Sequence, residues 1–283
     1  MISFACNEDI PALKSLWIDT FTKDTEEQID LFFEHRFKPS LTPVYKADEK
    51  IVSVLYLLDC SLRQGNGLIP ALYIYAAATK REYQEQGIMS ELLDFSKELA
   101  LKNNCAAITL LPETPKLRSF YGKRGYKEHY KIDTIEFTRT ELSALSVQNP
   151  CQSLSFDFDE YLKNRNELLS QNGSVIWNAS AMKHKLKFYA TMNPFFVRCE
   201  KSFGICYEEN RRANLIEFIG IPADLPQIFS HMLRRYDVES FKIYLPHDFL
   251  KTEQIVEKNT VMILTLSDRL TLDCNAYGGL TMI

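Results

Sequence analysis

The run Tyr73-Ile-Tyr-Ala-Ala-Ala-Thr79 leads into the polar turn Gln84-Glu-Gln-Gly87, and Ile88, Met89 and Ser90 begin an amphipathic stretch at once. The first N–H groups of a helix have no partner within it, and they sit at the positive end of the helix dipole. Gly87 permits backbone angles that other residues resist. Free amides converging on one point suit an anion, most simply a phosphate or pyrophosphate. Lys80, Arg81, Lys123 and Arg124 are cations in the same region, each also explicable as a solvated surface charge. Glu85 works against an anion unless its side chain points to water.

The elements that must hold this turn follow from periodicity. Asn7 is placed to cap a helix carrying Ile10, Leu13, Leu16, Trp17 and Phe21, and a second helix spans about Glu26 to Phe37, closed by Pro39. Strands are expected at Pro43–Ala47, Ile51–Cys60 and Leu68–Ala78, the last two joined as a hairpin through Gln64-Gly-Asn-Gly67. After Gly87 a stripe of Ile88, Leu92, Phe95 and Leu99 predicts a helix. A buried strand at Cys105–Leu111, a short helix from Pro115 to Arg124 and a strand at Tyr126–Phe137 complete an α-α-β-β-β-α-β-α-β order. The fold class is α/β, with a mixed sheet.

Residues 141–156 have weak periodicity and a mid-run Asn149-Pro150, which places a boundary between units at 1–142 and 150–283. The second unit repeats the element order. Helices are expected at Asp159–Ser170 and Ile176–Tyr189, then strands at Phe195–Glu200, Phe203–Glu208 and Leu215–Ile221. A helix from Asp224 to Tyr236 and strands at Phe241–Leu245 and Thr260–Leu266 follow. Where its cradle should open, the sequence is Gly220-Ile-Pro-Ala-Asp224-Leu-Pro226, and the prolines remove donors.

A chain of 283 residues suits two such units, and a net charge of −4 argues against a nucleic-acid partner. No apolar stretch approaches a membrane span, and the N-terminus lacks a signal-peptide pattern, so no membrane partner is expected. The seven cysteines include no C-x-x-C pair and several lie in apolar runs, as free thiols in a reducing cytoplasm would. The five histidines have no metal-ligand spacing, so no metal is expected. A homo-oligomer stays open.

Three motifs in order carry a resemblance. Gln84-x-x-Gly87-x-Met89, the strand Tyr73–Thr79 before it, and Phe120-Tyr121-Gly-Lys-Arg-Gly125-Tyr126 after it resemble the Gcn5-related N-acetyltransferase (GNAT) superfamily over residues 1–140. The resemblance implies a GNAT-like acyl-CoA N-acyltransferase fold, in tandem with a degenerate second half, and acetyl-CoA as acetyl donor to a small-molecule or peptide amine. Gln84, Glu85, Gln86, Gly87, Ile88, Met89 and Ser90 would then hold the pyrophosphate. The edge of Ala77, Ala78 and Thr79 would pair with the pantetheine arm, and a free N–H near Ala77 or Ala78 would face the thioester carbonyl. Phe120 would pack against the cofactor, and Tyr121 would be the general acid for the leaving thiolate. Met89 departs from the small residue usual in the family, and Glu85 from a frequent glycine.

The general base stays open among Glu34, Glu113, His35 and a water chain. Asp24, Glu26, Glu27, Asp30 and Glu34 flank the expected acceptor cleft and would favour a cationic amine, or form only a solvated helix face. Similarity to multidomain acetyltransferases of the enhanced-intracellular-survival type also raises the chain's own C-terminal carboxylate as an active-site group. Two rival classes remain: a non-catalytic acyl-CoA-binding or sensing module, and a structural interaction protein.

Overall fold

The computed structural model describes residues 1–150, 154–199, 202–250 and 255–278. The first part runs β1 (Ile2–Phe4), α1 (Ile10–Thr20), α2 (Glu26–His35), β2 (Pro43–Ala47), β3 (Lys50–Gln64), β4 (Gly67–Thr79), α3 (Ile88–Lys102), β5 (Ala107–Leu110), α4 (Pro115–Gly122) and β6 (Lys127–Thr138). The second runs α5 (Arg139–Leu145), α6 (Phe158–Leu168), β7 (Val175–Ile176), α7 (Ala179–Ala190), β8 (Phe195–Cys199), β9 (Ser202–Glu209), β10 (Arg212–Ile219), α8 (Leu225–Arg235), β11 (Ser240–Pro246) and β12 (Ile255–Thr265). The mixed α/β class expected from the sequence is the one found.

Some local readings differ. Asn7 is not a cap: Cys6 occupies that position before a short 3-10 turn, and its N–H donates to Asp9 Oδ2 at 2.9 Å. Helix α5 overlaps the start of the stretch 141–156 read as a boundary. Its signal is a capping box, in which Thr138 N–H and Oγ1–H both donate to Glu141 Oε2 at 2.8 Å. Seven residues were too few for periodicity to register. The strands β1 and β7 were also missed, because two or three residues carry no readable pattern.

All the strands lie in one sheet, ordered β1-β2-β3-β4-β5-β12-β6-β11-β10-β9-β8, with β7 paired to β3. Two crossovers have the same form. β4 and β5 are parallel and joined through α3, and β10 and β11 are parallel and joined through α8. The last strands of the two parts are exchanged. β12 inserts between β5 and β6, with Met262 opposite Leu110 and Val261 opposite Tyr130, while β6 pairs along β11 from Ser240↔Thr138 to Pro246↔Ile132. The sheet therefore continues across residues 142–150 without a break.

The near-continuous apolar run in β3 reflects burial on both faces of the sheet. Tyr56, Leu58 and Cys60 face a core with Leu13, Trp17, Ile29, Phe32 and Met182 of α1, α2 and α7. Leu55 and Leu57 face Leu92, Leu93 and Ala100 of α3 on the other side. Ile228, Phe229 and Met232 of α8 pack with Val197, Leu215 and Phe241 in a third cluster. The long guanidinium of Arg139 ties these parts together, donating to the carbonyls of Leu233, Tyr236 and Val238 around the end of α8.

One ion pair is fully buried. Arg165 of α6 donates from Nε to both Glu217 carboxylate oxygens at 3.2 Å, and the Tyr161 hydroxyl donates to the same carboxylate. Both charged side chains are 0 % exposed. Removing one member of such a pair costs far more than replacing both. Glu217→Ala is expected to lose about 3–5 kcal/mol in urea unfolding. The double variant Arg165→Met/Glu217→Leu should recover most of that loss.

Candidate functional site

The hairpin β3–β4 generates the cleft. β4 pairs with β5 at Leu72↔Ile108 and Tyr73↔Thr109, whereas on its other side it follows β3 as far as Ser53↔Thr79. Beyond Tyr73 its β5-facing edge is therefore open. The register with β3 shifts there, since Tyr75 pairs with Tyr56 but Ala78 with Val54. The extra residue of this bulge is Ala76, at φ +46°. Lys80 N–H donates to Val52 O at 2.8 Å, so by the alternation of an antiparallel ladder Ala78 faces β3 and the N–H groups of Ala77 and Thr79 face the open edge. Of the two residues named for a free amide, the geometry selects Ala77. The Ala78 carbonyl accepts from Ser53 Oγ at 2.9 Å, and Thr79 Oγ1 meets that hydroxyl at 2.8 Å.

The turn follows directly. Gln84 Nε2 donates to Thr79 O at 3.0 Å and Gln86 Nε2 to Glu82 O at 2.9 Å, so these side chains brace the loop. Glu85 and Gly87 take φ of +62° and +85°, and Gly87 is the N-cap of α3. Ser90 and Glu91 N–H return to the Gly87 carbonyl at 2.8 and 3.1 Å. The amides of Glu85, Gln86, Gly87, Ile88 and Met89 have no acceptor among the described residues. Five successive free N–H groups at a helix start form an anion cradle.

The two departures from the family pattern have physical outcomes. Glu85 points outward, 3.5 Å from Lys116 Nζ with both side chains almost fully exposed, where water screens the charge. Met89 turns into the α3 core rather than into the cradle. Arg124 is held beside the helix start. Its guanidinium donates to Phe120 O at 2.8 Å and to Ser90 Oγ, and stacks 3.7 Å over the Phe120 ring. Lys80 is half-buried, while Arg81 and Lys123 are exposed.

Tyr121 is buried on α4, edge-on to Phe120 and Tyr126 at 5.3 and 5.6 Å. Burial pushes its hydroxyl up to about 12, against a smaller downward pull from Arg124. Its charge is felt by Tyr73, the last β4 residue paired to β5, so two phenols converge where the strands part.

Of the five acidic residues named for the acceptor cleft, Asp24 is the one coupled to β4. Asp24 accepts from Trp17 Nε1 at 2.8 Å, and burial raises its pKa despite that bond. Its charge is felt by Tyr75 of β4, and Glu113, after β5, acts on it in turn. Asp30 is paired with Lys14 at 2.6 Å, and Glu26 and Glu27 are exposed in the first turn of α2. Among the proposed bases, Glu34 lies 3.6 Å from His35, which contacts Lys187 of α7 at 3.0 Å, so both belong to the α2–α7 contact. Glu113 is exposed, 3.6 Å from Lys23, and its charge reaches Asp24. Ala76, Tyr73 and Tyr75 were not singled out by sequence, because a bulge leaves no mark on an Ala-Ala-Ala run.

The equivalent turn of the second part is shut. Pro222–Asp224 forms a 3-10 turn, Pro226 lies in the first turn of α8, and the Asp224 carboxylate accepts from Ser202 Oγ. A Cβ at Gly220 would fall 2.0 Å from that Oγ, whereas one at Gly87 would meet nothing within 4 Å.

With this geometry in view, the comparisons agree. A model of the acetyltransferase (GNAT) domain matches residues 2–128. The fold is that of the GCN5-related N-acetyltransferases. One similar structure is a GCN5-related N-acetyltransferase from Kribbella flavida, at 14 % identity and TM-score 0.73, covering 93 % of this chain and 71 % of that one. Eis1 from Mycobacterium abscessus aligns at 10 % identity and TM-score 0.70, covering 94 % and 73 %. Saccharomyces cerevisiae N-myristoyltransferase with bound myristoyl-CoA aligns at 10 % identity and TM-score 0.62, covering 100 % and 85 %. No curated protein matches the chain in sequence. These structures show the fold; the domain model over residues 2–128 adds support for acyl-CoA-dependent group transfer in general.

Other expectations meet the structure as follows. Of the six cysteines described, Cys6, Cys60, Cys105, Cys206 and Cys274 are free thiols, and Cys60, Cys105, Cys199 and Cys206 are buried; Cys151 and the C-terminal carboxylate lie outside the described residues. No described helix is long and apolar enough to cross a membrane. Asp133, His247 and Asp248 bring potential ligand atoms within 4.8 Å of one another. They are already joined, His247 Nδ1 to Asp133 Oδ1 at 2.8 Å and Asp248 N–H to Asp133 Oδ2 at 3.0 Å. The absence of a metal remains an expectation.

The cradle depends on a left-handed residue with free space around it, which separates backbone strain from packing. Gly87→Ala is expected to destabilise by about 1–2 kcal/mol in urea unfolding, the cost of a Cβ at positive φ. Gly122→Ala, on α4 with equal free space and no positive φ, should instead stabilise by about 0.4–1 kcal/mol.

Proposed function

We propose that the protein is an acetyl-CoA-dependent N-acetyltransferase that moves an acetyl group to a primary amine by direct attack on the thioester. The observation that carries this reading is the run of free amides from Glu85 to Met89 beside the open edge of β4. Those amides, with Gln84 and Ser90 bracing the turn and Arg124 adding charge, would bind the pyrophosphate. The Thr79 and Ala77 edge would align the pantetheine amides, and Ala77 N–H would donate to the thioester carbonyl as it gains negative charge. Phe120 would pack against the arm.

Tyr121 would donate its proton to the departing sulfur. A raised pKa suits that role, because the hydroxyl stays protonated at every pH below about 12. Asp24, with Glu113 near it, would hold a second, protonated nitrogen of a cationic acceptor, while the nitrogen that attacks is neutral and gives up its proton through water after attack. Two units, 1–142 and 150–283, would share the work. Only the first would bind the donor, while the second, with its turn closed by Asp224 and the prolines, would shape the acceptor pocket.

Acetyl-CoA at about 100 times its dissociation constant should stabilise the protein by roughly 2.7 kcal/mol; no thermal shift at millimolar donor would favour a structural role. Stabilisation without acetylation across a broad panel of amines would leave a binding or sensing module. Tyr121→Phe should lower kcat by roughly 10²-fold with donor affinity intact. In the unaltered enzyme kcat should show no alkaline fall from this group between about pH 7 and 10; equal turnover in the variant at every pH would remove the acid role. Asp24→Asn should raise KM for a cationic amine about five-fold, the effect of roughly 1 kcal/mol, and leave KM for a neutral amine unchanged.

A further inference from the structure

A small cavity lies between α2, β3 and α7, and one of its wall residues, Trp177, meets Tyr73 of β4 edge-on at 5.6 Å. Its walls are Arg36, Leu58, Trp177, Met182, His184 and Lys185, and its volume is ≈ 10 Å³, counted as space for the centre of a water-sized sphere. That is room for one water or one small ion. The polar side chains around it are almost fully buried: Arg36 is 6 % exposed, Trp177 4 %, His184 3 % and Lys185 3 %.

Their hydrogen-bonding capacity is unspent. Trp177 Nε1 and both ring nitrogens of His184 have no partner. The Arg36 guanidinium makes no hydrogen bond or ion pair among the described residues, and stands 5.9 Å from the Trp177 ring. Lys185 Nζ has only the Tyr189 ring, 5.4 Å away. The acidic groups within electrostatic reach are committed elsewhere. Asp59 accepts from Lys38 at 2.8 Å and from Asn178 at 2.9 Å, and Glu217 is held by Arg165 and Tyr161.

Buried polar groups are nearly always hydrogen-bonded, and buried charges are paired. A cavity whose polar side chains are almost all donors, with two buried cations and no carboxylate turned to it, has the chemistry of an anion site. We infer that it holds one small monovalent anion, a halide or a formate-sized carboxylate, bound by Arg36, Lys185, Trp177 Nε1 and the His184 ring. The electrostatics fit the geometry. Burial and then the neighbouring cations push His184 down to about 3, and burial lowers Lys185 to about 7 against an upward pull from Glu217. The site does not depend on the proposed reaction. The anion would tie the end of α2 to α7, across the contact that His35 and Lys187 make at its rim.

The test uses the intact chain. Thermal unfolding is followed against sodium chloride, bromide, formate and gluconate at fixed ionic strength, and a crystal is soaked in bromide. Stabilisation that saturates in at least one small anion and is absent in gluconate is expected, with an anomalous bromide peak between Arg36 and Lys185 where halide is the active ion. Response to formate alone, with formate density in the cavity, would identify a carboxylate. Arg36→Gln and Lys185→Met should each weaken the response at least ten-fold. Equal behaviour in all four salts, with the cavity holding water in both bromide- and formate-soaked crystals, would overturn the assignment even if both variants failed to fold.

Discussion

The way β5 divides its hydrogen bonds is the constraint on which the rest depends. Its four residues pair with β12 along their whole length and with β4 at only two positions. A strand so short cannot follow both neighbours as they twist apart. β4 is kept straight instead by its long ladder with β3, and the bulge at Ala76 turns it further from β5. The open edge is thus a product of sheet geometry, stabilised by the cores on either face. Between β4 and α3 the chain makes one short 3-10 turn, Arg81–Tyr83, and the amides of Glu85–Met89 that follow it meet no acceptor among the described residues.

Comparison of the two turns shows how little separates an open cradle from a shut one. Both follow the third strand of a meander, and both begin the helix of a parallel crossover. In the first, a glycine in the left-handed region leaves space above the amides. In the second, Pro222 and Pro226 remove donors, Asp224 places its own carboxylate near the helix start, and Gly220 is pressed against Ser202. The Asp224 carboxylate caps no amide of α8 and is held by the Ser202 hydroxyl, and a negative charge at this helix start disfavours an external anion.

Much of this was legible in the sequence where the signal was local. The hairpin through Gly65 and Gly67, the helix after Gly87 and the two prolines of the second turn could be read from residue type alone, because each rests on backbone rules of one or two residues. The cradle residues were legible through the same rules and through the resemblance. What escaped was non-local. Nothing in Ile255–Thr265 says that it pairs with β5 and β6, since an apolar strand is the same string whichever partners it has. Asp24 could not be told from Glu26 or Glu27 before Trp17 and Tyr75 were placed around it. The donors of Arg36, Trp177, His184 and Lys185 meet only because α2 packs on α7, more than a hundred residues later in the chain.

The exchanged last strands carry a consequence for biosynthesis. When β6 leaves the ribosome, the slot between it and β5 is still vacant, and the strand that fills it has yet to be translated. At ordinary elongation rates that interval is on the order of 10 s. Throughout it, the nascent first part exposes two unpaired strand margins, those of β5 and β6, whose free backbone groups are adhesive surfaces for a neighbouring chain. The first part should therefore close only after β12 has been made, and it should lean on holdase chaperones during synthesis more than an ordinary one-domain enzyme of similar first-half sequence.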